Sequence, residues 1–435
     1  MLSRRLRDLP SLAAGVLVSA LVPMAAQAQS NDAIRQQVAR EKAPLIDTLR
    51  DLVNIESGSR DIEGLNRISE LIATRLRALG GAVEFVAPAT DVRFDDTPPQ
   101  IGRMVLARFQ GTGTKRIMLI AHMDTVYEKG MGAQQPFRID GDKAYGLGIA
   151  DDKHGVAVIL HTLATLKALN AQPYGVLTVL INGDEEISSP GSRAMFAKLA
   201  GEHDVVFSFE GGGTDTSEFI RLATSGNGDV ILRVTGRASH AGSAPEQGRN
   251  ALTELAHQIL QMQDLSIPER GIKLNWTVAS AGTVRNIIPS SAEAMADVRV
   301  LNPEDWDLVE ALVRERITRT RVADTKIDVI IERRRPALAV TPSSRALANQ
   351  AVQIYRELGK TLNLTLTGTG GGTDAALSQL GTRAPVIEGM GLSGFGAHSN
   401  DREYININTI ESRLYLATRL ITGIGQGQIP VEPNR

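Results

Sequence analysis

The sequence contains no cysteine. That absence removes disulfides, thiolate metal sites and any cysteine nucleophile together, so a bound metal has to be held by histidine, aspartate and glutamate. An excess of charge is missing as well: 47 Lys and Arg stand against 49 Asp and Glu, and the formal net charge is -2. A nucleic-acid partner would require a basic face that displaces counterions from phosphate, and no polybasic tract supplies one. Internal repeats and low-complexity stretches are also absent. What remains is a chain of 435 residues, 42% hydrophobic and 22% charged. That balance belongs to a soluble globular protein of about two or three domains.

The N-terminus has the pattern of a leader. Arg4, Arg5 and Arg7 precede a mostly apolar stretch from Leu12 to Ala26, and Ala26-Gln27-Ala28 is a small-x-small cleavage pattern. Residues 1–28 therefore read as a secretory signal peptide. The apolar run is short for a bilayer span and is broken by Pro23, so no membrane association is expected after cleavage. With no cysteine to oxidise, the mature chain suits a bacterial periplasm or the extracellular medium. The Arg4-Arg5 pair leaves the export route open.

Beyond the leader, apolar runs bounded by turn residues alternate with helix-like segments, which predicts an α/β domain with a mixed, mostly parallel sheet and helices on both faces. Four runs end in polar residues. Ile117 to Ala121 leads into His122-Met123-Asp124, Val176 to Ile181 into Asp184-Glu185-Glu186, and Val205 to Phe209 into Glu210, while Ala384 to Ile387 precedes a glycine-rich loop ending at His398. In an open parallel sheet the site lies beyond the carboxyl ends of the strands, so these acids and imidazoles should meet at one edge. Residues 225–335 read differently. Strands at Val230 to Val234, Leu274 to Ala279, Ala294 to Val300 and Ile327 to Ile331, with helices at Asn250 to Gln263 and Pro303 to Thr318, predict an inserted ferredoxin-like α+β unit. The larger domain then comprises residues 29–224 and 336–435.

The chemistry-bearing residues each admit a plainer interpretation when taken alone. His122 with Asp124 two positions on fits a metal imidazole steadied by a carboxylate, and equally a turn. Asp151-Asp152 after a glycine-rich loop fits a carboxylate set between two cations, or a solvated loop. Three adjacent acids at a buried strand end, Asp184-Glu185-Glu186, repel one another unless cations or protons offset them. With Glu210 and His398 the set has the oxygen and nitrogen donors of a two-metal hydrolase, zinc foremost, with manganese or cobalt also suited.

Taken in order, His122-Met123-Asp124-Thr125-Val126-Tyr127, Gly148 to Lys153, Asp184-Glu185-Glu186, Ser208-Phe209-Glu210, Ala238-Ser239-His240-Ala241-Gly242, Asn286 to Pro289, Gly371 to Ala375 and Gly394 to Ser399 resemble the successive motifs of the dizinc exopeptidases related to aminoacylase and glutamate carboxypeptidase. The resemblance spans nearly the whole mature chain and is strongest to the periplasmic glutamate carboxypeptidases that cleave folates. It implies that Asp151 bridges two zinc ions, that His122 and Glu210 complete one and Glu186 and His398 the other, and that Glu185 is the general base, with Asp124 orienting His122. It also implies that the inserted unit is a lid and dimerisation domain whose His240 reaches the partner subunit's site in a homodimer. The expected substrate is a small N-acyl amino acid or peptide with a C-terminal residue, glutamate above others. An aminoacylase, a dipeptidase or another N-acyl amino acid amidohydrolase is the alternative.

Anchoring a free C-terminal carboxylate calls for a guanidinium and amide donors. Arg299, Arg335 and Asn286 are the candidates, and Arg333-Arg334-Arg335 also fits a basic surface turn. Gly370-Gly371-Gly372 is followed by no Lys-Ser/Thr and reads as a loop lining the cleft, with Gly372 beside the substrate. Phe219-Ile220-Arg221 stands where folate-cleaving relatives tend to carry Lys-x-Ser, and His154 where relatives usually have glycine. His154, His161, His203 and His257 are read as structural or solvated.

Overall fold

The computed structural model describes residues 14–435 apart from Thr369, Asn400 and Arg435, with side chains described from Asn31 onward. The leader expected over residues 1–28 begins outside the described residues, and of its remainder only the helical backbone is described. Among the described residues, no helix is long and apolar enough to cross a membrane.

Period-two patterning builds the central sheet. In Met104–Gln110 and Arg116–His122, Val105, Ala107, Ile117, Leu119 and Ala121 face one core while Met104, Leu106, Met118 and Ile120 face another. Six strands pair in the order Ala82–Val86, Met104–Gln110, Val176–Asn182, Arg116–His122, Val205–Ser208, Val386–Ile387. The last four are mutually parallel, and Met104–Gln110 alone runs antiparallel to both of its neighbours. The larger core is covered by the helices Ala14–Val53, Ile62–Ala78, His154–Ala168, Pro342–Glu357 and Ile410–Gly425, and the smaller by Arg193–Gly201 and Asp374–Leu380. Local signals agree with this packing. Asp61 caps Ile62–Ala78 by accepting the Gly64 N–H at 3.1 Å, and Leu65, Ile68, Ile72 and Leu76 turn one apolar stripe to the sheet.

The second unit has its own core around Val230, Leu232, Ala294, Val298 and Trp306. Its four antiparallel strands, Gly226–Thr235, Lys273–Ala281, Ser291–Val300 and Lys326–Arg335, carry the helices Ala251–Gln261 and Asp305–Arg316. With Lys273–Ala281 at one edge and Lys326–Arg335 at the other, the order is ferredoxin-like, as the element sequence predicts. The chain enters and leaves this unit side by side, since Asn227 pairs with Arg335. A bulge sits between Arg333 and Arg335, and both following arginines turn toward the larger unit, Arg334 to Asp96 at 2.8 Å and Arg335 to Glu185 at 2.9 Å. Asp95 adds a two-pronged contact to Arg233 at 2.7 and 2.8 Å.

Candidate metal centre and substrate cavity

Parallel register delivers the donors to one edge. His122 pairs with Asn182 and Ile120 with Ser208, so His122, the Asp184–Glu186 turn and Glu210 leave adjacent strands at the same level. His122 is buried, its Nδ1 3.1 Å from the Asp124 carbonyl and 3.4 Å from the Asp124 carboxylate. That directs Nε2 to Asp151 Oδ1 at 3.0 Å and Glu210 Oε1 at 3.6 Å. The other oxygen of Asp151 lies 3.3 Å from His398 Nε2, which is also 3.2 Å from Glu186 Oε2. One carboxylate therefore spans two imidazoles. Donor atoms of Asp151, Glu186 and His398 all lie within 4.8 Å of one another, as do those of His122, Glu185 and Glu210.

Asp124 does more than face the imidazole. Its oxygens accept the backbone N–H groups of Glu185 and Glu186, each at 3.0 Å, and the Ser59 hydroxyl at 2.7 Å. Fixing His122 and the acidic turn with one buried carboxylate sets the two strand ends against each other. Of the three adjacent acids, Asp184 is turned away. It accepts from Gly191 N at 2.7 Å and from Ser192 Oγ at 2.6 Å, so it holds the following turn and adds nothing to the cluster.

The acids of the cluster are electrostatically strained without a cation. Burial, followed by the charge of Asp151, pushes Glu186 up to about 7. Burial and the same neighbour raise Glu210 well above the usual carboxylate range. Burial also raises Glu185, and the Arg335 guanidinium opposes it. Burial alone would raise Asp151 too, but His122 and His398 outweigh it and hold it low. His122 is raised because Asp124 and Asp151 outweigh its burial. Glu186 Oε1, moreover, is buried with no hydrogen-bond partner in the structure. Hard oxygens and imidazole nitrogens converging with one orphaned oxygen are a donor set suited to divalent cations.

Beside the cluster opens a cavity of about 580 Å³, lined among others by Arg221, Arg299, Arg335, Gly372 and Thr373. Arg335 is buried and held by Glu185 through its carboxylate and its carbonyl, which removes the surface-turn interpretation. Arg299 is fixed by Asp297 at 2.6 Å and by the Gly370 carbonyl at 2.8 Å. A Cβ on Gly372 would stand 2.7 Å from the Asn227 amide and 3.1 Å from Arg335 Cδ, so glycine there leaves Arg335 in place. Arg221 lines the same cavity, donates to the Gly211 carbonyl at 2.7 Å, and forms no ion pair among the described residues. His240 and Asn286 are brought together, with Ala241 N donating to Asn286 O at 2.9 Å, but both are exposed and neither lines this cavity.

His161 bonds Thr48 and Glu41, His203 bonds Leu199 and Thr178, and His257 faces the Arg319 carbonyl. His154 is buried behind the cluster, pushed down to about 4 by burial. His161, His203 and His257 stand apart from the cluster, while His154 lies next to it, 3.6 Å from Asp152, without belonging to either donor group. Sequence reasoning passed over Asp374, which accepts from Asn182 at 2.8 Å, and Glu403, which holds the loop before Asp151. Asp374 lies inside a quoted motif, whereas Glu403 carries no local signal.

Residues 118–423 match the model of Peptidase family M20/M25/M40. Carboxypeptidase G2 of Pseudomonas sp. (strain RS-16) is 43% identical over 416 residues, 95% of this chain and 98% of that protein. Two solved structures share the fold at lower identity. The dipeptidase Dug1p of Saccharomyces cerevisiae is 16% identical with a TM-score of 0.73, over 91% of this chain and 99% of that one. The M20 family metallo-carboxypeptidase Sso-CP2 of Sulfolobus solfataricus is 16% identical with a TM-score of 0.68, over 88% and 98%. With the family model covering most of its length and its acids and imidazoles gathered at one sheet edge, the chain belongs to Peptidase family M20/M25/M40 and is a metallopeptidase.

Proposed function

We propose that this protein is a two-zinc carboxypeptidase that hydrolyses the amide bond to a C-terminal amino acid, glutamate above others, in N-acyl or peptidyl substrates of folate type. The observation that carries the reading is the reach of Asp151, with one oxygen 3.0 Å from His122 and the other 3.3 Å from His398. In this reading Asp151 is shared, His122 and Glu210 complete one site, and Glu186 and His398 complete the second. Manganese or cobalt suit the same donors. Bound there, the ions would supply Lewis-acid polarisation of the scissile carbonyl and a lowered pKa for the attacking water.

The chain's own residues do the rest. Glu185 takes the proton of the attacking water and returns it to the leaving amine; its burial, which favours proton uptake, supports that role. A carboxylate already ion-paired to Arg335 is a poor metal ligand, which favours Asp151 over Glu185 beside His122 and Glu210. Asp124 holds His122 and the Glu185 backbone in place. Arg335 and Arg299 orient the C-terminal carboxylate, and Arg221, which acts on Glu388 across the same cavity but makes no ion pair at contact distance, supports an acidic side chain next to it. His240 accepts the N–H groups of Gly242 and Ser243 on Nδ1, each at 3.1 Å, so its neutral ring carries the proton on Nε2 and is a donor. Since His240 and Asn286 lie away from their own cavity, the reading includes a homodimer in which they serve the other subunit. Residues 225–335 then act as lid and dimerisation unit, and residues 1–28 as the export leader to the periplasm.

The test is a release assay over N-acyl amino acids and dipeptides varied at the C-terminal residue, with metal content measured in parallel. Fastest release of glutamate from an N-aminobenzoyl donor, lost on chelation and restored by zinc, is expected. Faster release of neutral residues would make it an aminoacylase or dipeptidase, and full activity of metal-free protein would refute the two-zinc reading.

A further inference from the structure

The two loops that carry Asp151 and His398 are tied together by a buried residue outside the donor set. Glu403 lies five residues after His398, immediately before the strand Tyr404–Asn406, which pairs with Lys143–Tyr145. It is fully buried and takes three alternate N–H groups of the loop before Asp151. Its carbonyl accepts Gly146 N at 3.3 Å, its Oε2 accepts Gly148 N at 2.8 Å, and its Oε1 accepts Ala150 N at 2.7 Å. The buried hydroxyl of Tyr127, on the segment leaving His122, lies 2.6 Å from Glu403 Oε2 and 3.1 Å from the Ser399 carbonyl. Ser399 follows His398, which itself sits in the left-handed region at φ 63. A non-glycine residue is held there only when its surroundings over-determine it. Tyr127 on the Ser399 carbonyl and the Ser399 N–H on Gly396 O at 2.9 Å are two such constraints.

From these contacts the geometry points to Glu403, with Tyr127, as the positioning pair that sets the spacing of Asp151 and His398, and so tunes the metal site those two share with Glu186. The inference rests on the two-metal reading above. A carboxylate is specifically needed, because each of its oxygens accepts a backbone N–H, Gly148 on one and Ala150 on the other. Glutamine would turn its NH₂ toward the N–H of Gly148 or Ala150 and free one end of the loop. Outer partners of this kind typically change metal affinity about 10- to 100-fold when replaced.

The test is zinc titration of the metal-free full-length protein against a chromophoric chelator, with melting temperature followed alongside. Wild type should take two ions. Glu403→Gln should weaken the site of Asp151, Glu186 and His398 by about 10- to 100-fold and the other, which shares only Asp151 with it, by clearly less, with activity returning at high zinc. Tyr127→Phe should weaken the same site by less, and the double variant by less than the product of the two effects, because the groups share one contact. Glu403→Gln with both affinities within about twofold of wild type overturns the inference, as does equal weakening of both sites with a lowered melting temperature. If Glu403→Gln does not fold, Tyr127→Phe decides, and unchanged affinities in it overturn the assignment. A wild type that takes fewer than two ions overturns the two-metal reading itself, and does so before any variant is compared.

Discussion

Replacing Glu185 with glutamine separates proton transfer from metal binding. Its backbone N–H stays on Asp124 at 3.0 Å, and its carbonyl still receives Arg335. The amide oxygen can take over the Arg335 Nη1 contact that the carboxylate makes at 2.9 Å, so the side chain has no reason to move. What is lost is the ability to accept a proton. General-base catalysis contributes about 10²- to 10⁴-fold, so kcat should fall by that factor, or about 2.7–5.5 kcal/mol, while KM changes little. Steady-state kinetics on an N-acyl glutamate, with metal content by mass spectrometry after desalting, measures both quantities. Two metals per chain with collapsed turnover is the expected result. Loss of one metal would mean that Glu185 is a ligand with His122 and Glu210, a grouping their donor atoms also permit. A fall in kcat below tenfold would remove Glu185 as the base.

Chelation should lower the melting temperature as well as abolish activity, because Glu186 and Glu210 are left with uncompensated repulsion; restoring zinc at 100 times its Kd should return about 2.7 kcal/mol of stability per site, and an unchanged melting temperature in calorimetry would count against the site. Arg221→Ala should raise KM for substrates ending in glutamate more than for those ending in alanine. Equal changes for both would remove Arg221 from the recognition of an acidic side chain. His240→Ala should keep both metals and lower kcat by about 100- to 1000-fold, the loss typical of one oxyanion donor. Mixed with Glu185→Gln subunits under conditions of exchange, it should regain activity, and none regained despite proven exchange would place His240 within its own chain or outside the reaction.

Much of the centre was legible because the sheet converts sequence into position. The interior of a buried parallel strand excludes charge, so the first ionisable residues after an apolar run mark its carboxyl end, and His122, Glu185, Glu186 and Glu210 all sit at such ends. The element order of the inserted unit likewise fixes a ferredoxin-like sheet, since strand, helix, strand, strand, helix, strand has few compact closures. Partnership was less legible. Arg299 and Arg335 look alike in sequence as arginines at the ends of strand-like runs, yet one is locked by a neighbour two residues away and the other by a carboxylate 150 residues distant. Nothing local distinguishes those outcomes, because the second depends on a bulge that re-aims the strand end.

Glu403 shows why the supporting contacts escape a linear reading. Its chemistry is ordinary, and its importance comes from three N–H groups that only a folded loop presents at alternate positions. Burying those groups without an acceptor would cost about 1–3 kcal/mol each, so the loop before Asp151 cannot adopt this path unless an acceptor arrives from elsewhere in the chain. The acceptor arrives on the same loop that carries His398. Making the loop of Asp151 conditional on the loop of His398 couples the two halves of the cluster through the fold itself. The spacing of these donor atoms is therefore set in part by backbone hydrogen bonds that involve no side chain of the cluster.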